Sequence, residues 1–158
     1  MASFTALDVK KLREMTNVGM MDCKKALTAS EGDMDKAVEW LREKGLAAAA
    51  KKSGRIAAEG AVCAKVENGV GVIVEVNCET DFAAGSDKFK ELINDVANTV
   101  LAEKPADLDA LMNANYIGTD KTVSETLPDK VLVIGENIKI RRFATYNTGV
   151  SVPYIHMG

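Results

Sequence analysis

Two periodicities divide the chain. Up to about residue 55, apolar residues recur every three or four positions; beyond that they alternate with polar ones before a helical stripe returns. Thr5 and Asp8 have capping-box-like spacing, and Ala6, Val9 and Leu12 mark one helical face up to about Met15. Thr16-Asn17-Val18-Gly19 reads as a short turn. A second helix is predicted from about Met20 to Ala29, with Cys23, Ala26 and Leu27 inward and Lys24 and Lys25 outward. Gly32-Asp33 restarts the chain. Met34, Ala37, Val38 and Leu41 then give a third amphipathic helix, which Gly45 is expected to stop. Three short helices make a bundle that is marginal alone.

Residues 46–55, Ala-rich then Lys-rich, are expected to form a helical linker ending at Gly54, with Lys51, Lys52 and Arg55 as solvated charges. The period then changes to two. Val62, Ala64 and Val66 alternate with Ala61, Cys63 and Lys65, Asn68-Gly69 is a hairpin signal, and Val72, Val74 and Val76 alternate with Ile73, Glu75 and Asn77. The alternation stops at Thr80-Asp81-Phe82. Ser86 reads as the N-cap of a long helix striped by Phe89, Leu92, Ile93, Val96, Ala97, Val100 and Leu101, which should cover one sheet face. Asp107 caps a short helix near Pro105, carrying Leu108, Leu111 and Met112. Thr122 and Glu125 suggest another capped segment, which Pro128 is expected to interrupt. Gly135-Glu136-Asn137 turns into a third strand through Ile138 and Ile140. Residues 150–155 suggest a fourth, placed at an edge by Pro153. The fold class expected is α+β: a three-helix bundle followed by an antiparallel sheet with covering helices.

Composition narrows the function more than the fold. With 158 residues, 47% hydrophobic and 27% charged, the chain suits one globular domain or two small ones. Only 5% is aromatic, so the core must rest on Ala, Val, Leu and Ile. The net charge of −3 conceals an asymmetry: residues 1–55 hold 11 basic against 8 acidic side chains, residues 56–158 hold 9 against 15. That balance argues against nucleic acid as a direct partner. Cys23, Cys63 and Cys78 are odd in number and lack paired spacing, so neither a zinc site nor a disulfide framework is indicated. The polar N-terminus does not read as a signal peptide, and no apolar run reaches the roughly 20 residues of a membrane span. A cytoplasmic or organellar-matrix setting is expected.

Enzyme chemistry is thin. His156 is the single histidine and has no nucleophile placed by sequence to use it. Gly69-Val70-Gly71 lacks the third glycine of a dinucleotide loop, and nothing matches a Walker phosphate loop. Asp33 and Asp35 lack the remaining ligands of a calcium loop and suit a helix N-terminus better. Binding without catalysis, cofactor or metal is expected. The Thr80-Asp81-Phe82 corner is the stretch to watch: its Phe either tucks into its own core, which geometry alone favours, or projects as a wedge.

Two motifs sharpen this reading. Leu12-Arg13-Glu14-Met15-Thr16-Asn17-Val18-Gly19-Met20-Met21-Asp22-Cys23-Lys24-Lys25-Ala26-Leu27 resembles the N-terminal signature of the elongation factor Ts family. Glu75-Val76-Asn77-Cys78-Glu79-Thr80-Asp81-Phe82 resembles its second signature, and Gly135-Glu136-Asn137-Ile138 with Arg141-Arg142 matches a third segment. The resemblance implies a ubiquitin-associated-like three-helix module with a helical linker over residues 1–54. A core subdomain, apparently truncated, would follow over 55–158. The family usually continues with a second core subdomain, usually has Val, a small residue and Lys where this chain has Ala83, Ala84 and Gly85, and usually keeps a helix where Pro128 sits.

The resemblance further implies a guanine nucleotide exchange factor that meets elongation factor Tu in its GDP-bound and nucleotide-free states, with no direct nucleic acid and no membrane involved. The setting would be the cytoplasm, or a plastid or mitochondrial matrix. Phe82 would wedge between helices of the GTPase while Asp81, beside Thr80, disturbs the groups that hold Mg²⁺. Ile134 and Gly135 would lie toward the phosphate loop, with core packing equally open for Ile134, and His156 toward the same face. Lys10, Arg13, Met20, Met21 and Lys24 would form the N-terminal docking surface, with one of the two methionines facing inward. The competing readings are a ubiquitin-binding adaptor, a recruited structural subunit and, more distantly, a small enzyme.

Overall fold

Thr5 begins the first helix as its sequence requires. Its hydroxyl accepts the Asp8 N–H while the Asp8 carboxylate accepts the Thr5 N–H, closing a capping box over α1 (Ala6–Thr16). In this computed structural model, which describes residues 4–147 and 149–156, α2 (Met20–Ala29) and α3 (Met34–Lys52) complete a helical bundle. Val9, Leu12, Val18, Cys23, Ala26, Leu27, Ala37 and Leu41 form its buried centre. Met34 and Val38 are partly buried against it, so all four positions of the third amphipathic pattern face this centre, and Trp40, outside that pattern, joins them.

Gly45 does not stop the third helix; α3 continues seven residues past it, to Lys52, so helix and expected linker are one element. The reason is close packing. A Cβ on Gly45 would lie 3.1 Å from Asp129 Oδ1 and 3.2 Å from the Pro128 carbonyl oxygen. The glycine is therefore kept for room, at the usual cost in helix propensity of about 1 kcal/mol. Lys52 is not simply solvated either, since its ammonium donates to the Gly135 carbonyl at 2.5 Å.

The second half opens with a hairpin. Strands β1 (Glu59–Glu67) and β2 (Val70–Cys78) pair antiparallel, and Asn68 and Gly69, both at positive φ, make the two-residue turn. After β2 come a single-turn helix α4 (Asp81–Ala84), α5 (Asp87–Glu103), α6 (Leu108–Asn113), α7 (Val123–Ile134) and strand β3 (Lys139–Tyr146). The sheet order is β1-β2-β3, antiparallel throughout. Val72, Val74 and Val76 are buried on the face that α5 covers with Phe89, Leu92, Ile93, Val96, Ala97 and Val100. The opposite face stays open, with Val62 and Ile73 exposed. Ser86 and Asp107 cap α5 and α6 through bonds to Phe89 N–H and Ala110 N–H. The α+β class, with a helical N-terminal region, is thus the observed one.

Two expectations fail on tertiary grounds. Pro128 does not interrupt its segment: α7 runs through it, capped by Thr122 and Glu125, and Leu132 and Val133 gain packing against the helical bundle. Residues 150–155 do not form a fourth strand. Val150, Val152, Tyr154 and Ile155 are all mostly exposed, so neither face of the segment gains from pairing, and Pro153 has no N–H to offer a ladder. The segment instead borders an open groove beside Ala64, Gly71 and Ile73.

By internal contacts the chain divides into two units. One is Met1–Lys52 with Pro128–Gly135, the other Ser53–Leu127 with Glu136–Gly158. Among the described residues no helix is long and apolar enough to cross a membrane.

Candidate functional site

The corner after β2 is held by a set of reciprocal bonds. Cys78 is buried and its thiol donates to the Thr80 carbonyl at 3.2 Å; burial, with Glu136 nearby, pushes that thiol's pKa up. The Thr80 side chain caps α4, accepting the Ala83 N–H at 3.2 Å. Ala83 is buried beneath it, and the Ser86 hydroxyl closes the turn on the Ala83 carbonyl at 2.7 Å. Asp81 is exposed and accepts the Phe82 N–H on Oδ1 at 2.8 Å.

Phe82, placed between these anchored positions, is 87% exposed. The core reading that geometry alone favoured is therefore wrong. The reason lies in one turn of helix: α4 directs Ala83 inward and leaves position 82 outside, while Phe89 and Tyr116 are the buried aromatics.

A second loop braces the corner from 56 residues away. The Glu136 carboxylate accepts the backbone N–H groups of Glu79 and Thr80, each at 3.0 Å on Oε2, and the Thr80 hydroxyl at 2.6 Å on Oε1. In return the Glu79 carboxylate accepts the Asn137 N–H at 2.7 Å. Arg55 joins from a third segment: its guanidinium lies 3.5 Å from Glu79 Oε1, and its carbonyl accepts from the buried Asn137 side chain at 2.7 Å. The sequence shows Gly135-Glu136-Asn137 only as a turn. No local signal marks Glu136 as a partner of Thr80, since the contact exists only in the fold.

Further along the sheet, Val76 pairs with Ile140 but Glu75 with Arg142, so Arg141 is the extra residue of a β-bulge. Both guanidiniums then reach Glu75, at 3.1 Å from Arg141 and 2.6 Å from Arg142, and the Arg142 bond foremost holds the Glu75 carboxyl below the usual carboxylate range.

The remaining predicted site residues lie elsewhere. Ile134 is half-buried at the end of α7, and Gly135 follows it at φ 89°, the left-handed conformation that favours glycine. His156 is exposed and stacks on Tyr154, with ring centroids 6.3 Å apart. On α1, Lys10 and Arg13 share a face, and Lys10 pairs with Glu14 at 3.8 Å. On α2, Met20 and Met21 are 51% and 66% exposed, so neither faces inward; the expectation that one would is corrected. They sit at the first two helical positions, where the chain has only just joined the bundle, and Cys23, Ala26 and Leu27 supply the buried stripe. Met21 and Lys24 line a shallow hollow with Lys25 and Thr28. Among the described residues no three His, Cys, Asp or Glu side chains are grouped to hold a metal ion.

Comparison with known proteins converges on one family. The sequence pattern of the family described as Elongation factor TS matches residues 79–158. Elongation factor Ts of Sulfurovum sp. is 52% identical over 91% of this chain and 40% of its own length. That of Pediococcus pentosaceus is 50% identical over 100% of this chain and 54% of its own, and that of Symbiobacterium thermophilum 53% identical over 99% and 50%. The chain spans about half the length of the curated relatives it matches. With the signature residues Thr80, Asp81 and Phe82 presented on a braced corner and these relatives alike along nearly its whole length, the chain belongs to the elongation factor Ts family.

Proposed function

We propose that the chain is a guanine nucleotide exchange factor for elongation factor Tu, acting in translation elongation by binding and not by chemistry of its own. The observation that carries this reading is Phe82: a large aromatic side chain, 87% exposed, on a corner whose neighbours are fixed by hydrogen bonds. An exposed aromatic on an ordered support suits insertion into a partner. Its burial there supplies about 1.5–3 kcal/mol, enough to contribute to distorting a nucleotide site but not to provide the distortion alone.

The mechanism follows from linkage. A factor that binds nucleotide-free Tu better than GDP-bound Tu weakens GDP by the same ratio. Phe82 wedges between helices of the GTPase, and Asp81, with Thr80 beside it, disturbs the groups that hold Mg²⁺ and phosphate. Ile134, Gly135 and His156 supply further contacts on the nucleotide side. Residues 1–54 act as the docking module through Lys10, Arg13, Met20, Met21 and Lys24; exposed methionines suit an adaptable contact, and the cations steer encounter. Residues 55–158 carry the exchange elements. The chain meets both GDP-bound and nucleotide-free Tu, touches no nucleic acid directly and works in the cytoplasm.

The test is release of a fluorescent GDP from elongation factor Tu with and without the chain. Acceleration is expected. Absence of both acceleration and co-elution with Tu would refute the reading, whereas co-elution without acceleration would keep the partner and remove the exchange role. Met20→Glu or Met21→Glu is expected to weaken co-elution while the sheet unit melts unchanged.

A further inference from the structure

We infer that Glu136 is a positioning residue for exchange, acting on the partner through Phe82 without contacting it. This rests on the exchange reading above and extends it to a residue in a separate loop. The wedge stands on a helix of only four residues, too short to hold itself. The bond at its N-terminus depends on the Thr80 hydroxyl, which accepts from Ala83 N–H. That hydroxyl is aimed by its own donated bond to Glu136 Oε1, the shortest in the corner at 2.6 Å.

The same carboxylate holds the two peptide N–H groups that lead into the turn, those of Glu79 and Thr80. Three donors thus converge on one side chain. The clasp is reciprocal, because Glu79 accepts the Asn137 N–H, and Arg55 ties both loops together through Glu79 and the Asn137 side chain. The arrangement fixes the backbone on which Phe82 is carried and leaves the ring itself to the partner. Hydrogen bonds to a charged acceptor are the stronger kind, and a fixed wedge loses less freedom on binding than a loose one.

The test uses the intact chain and four forms: the parent, Glu136→Ala, Phe82→Ala and the double substitution. Fluorescent GDP release from Tu is followed over a range of exchange-factor concentrations, alongside amide hydrogen exchange over residues 79–84. Glu136→Ala is expected to speed hydrogen exchange at Glu79, Thr80 and Ala83 and to slow GDP release about tenfold. Glu136→Gln, which keeps an acceptor oxygen for the peptide groups, should recover part of the loss.

The deciding comparison is the double substitution. If Glu136 acts through the ring, Glu136→Ala adds little once Phe82 is alanine. An additive loss would assign Glu136 a general structural role and overturn the inference. Faster hydrogen exchange with GDP release unchanged would also overturn it, as would no change in either. A parent chain that does not accelerate GDP release from Tu would sink the exchange reading itself, and is told apart by needing no variant to see it.

Discussion

Two phenylalanines seven residues apart allow a direct measurement of what each is for. Phe82 is 87% exposed and Phe89 fully buried under the sheet, yet truncation to alanine removes the same atoms from both. Phe89→Ala leaves a cavity between α5 and the sheet, with an expected loss of about 3–5 kcal/mol. At about 2–4 °C per kcal/mol for a chain of this size, the melting temperature should fall by roughly 6–20 °C. Phe82→Ala removes almost no buried contact and should stay within about 0.5 kcal/mol of the parent.

Binding should show the reverse. Nearly the whole Phe82 ring is available to be covered, so under the proposed wedge role its loss should cost about 1.5–3 kcal/mol, or about 10- to 150-fold in affinity for elongation factor Tu. Thermal denaturation of both variants beside the parent, followed by GDP release from elongation factor Tu, covers both sides. The reasoning fails if Phe82→Ala melts as early as Phe89→Ala, since the ring would then be part of the core. It fails equally if Phe82→Ala folds normally and releases GDP at the parent rate.

Other predictions concern the scaffold. A Cβ at Gly60, where φ is +149°, would lie 2.2 Å from the Val76 carbonyl oxygen, so Gly60→Ala should cost at least about 2 kcal/mol in urea denaturation; a shift under 0.5 kcal/mol would contradict the close approach. Gly45→Leu should destabilise by about 1–3 kcal/mol through overpacking against Pro128 and Asp129, and a neutral result would mean that α7 yields. Glu75 titrates below its unfolded value, so its contribution is present above the ordinary carboxylate pKa and lost as pH falls through the lowered one. Melting temperatures of the parent and Glu75→Gln should therefore converge as the pH is taken below the ordinary carboxylate range. A gap that stays constant would refute the pairing with Arg141 and Arg142.

What the sequence made legible was local. The capping pair Thr5 and Asp8, the Asn68-Gly69 turn, the Ser86 and Asp107 caps and the stripe of α5 each act within a few positions, and all are where the pattern put them save Leu101, the stripe's last residue, which is only half-buried. What it hid was long-range. Gly45 looks like a helix stop until Pro128 and Asp129 are seen against it. Pro128 looks like a breaker until the packing of Leu132 and Val133 is set against one missing hydrogen bond. The apolar residues of 150–155 have a strand's composition, but a strand needs a face to bury and none is offered. The candidate site divides the same way. The motif of Thr80, Asp81 and Phe82 was readable, while the outward course of Phe82 depends on which side one helical turn presents. Glu136 was readable only as part of a turn.

The helix α7 has a consequence for anyone who would separate the two units. Its residues 128–134 belong with the N-terminal bundle although they lie far along the chain, and Leu132 and Val133 are partly buried against that bundle. No single cut in the polypeptide therefore yields both parts whole. A protease acting after Lys52, or an expression vector starting at Ser53, would leave those two side chains without their cover. The excised bundle, for its part, would lack the turn that Gly45 makes room for and the carbonyl that Lys52 reaches. The natural seam of this protein is discontinuous in sequence, and a truncation series designed from the N-terminus alone would read the uncovering of Leu132 and Val133 as a defect of the sheet unit.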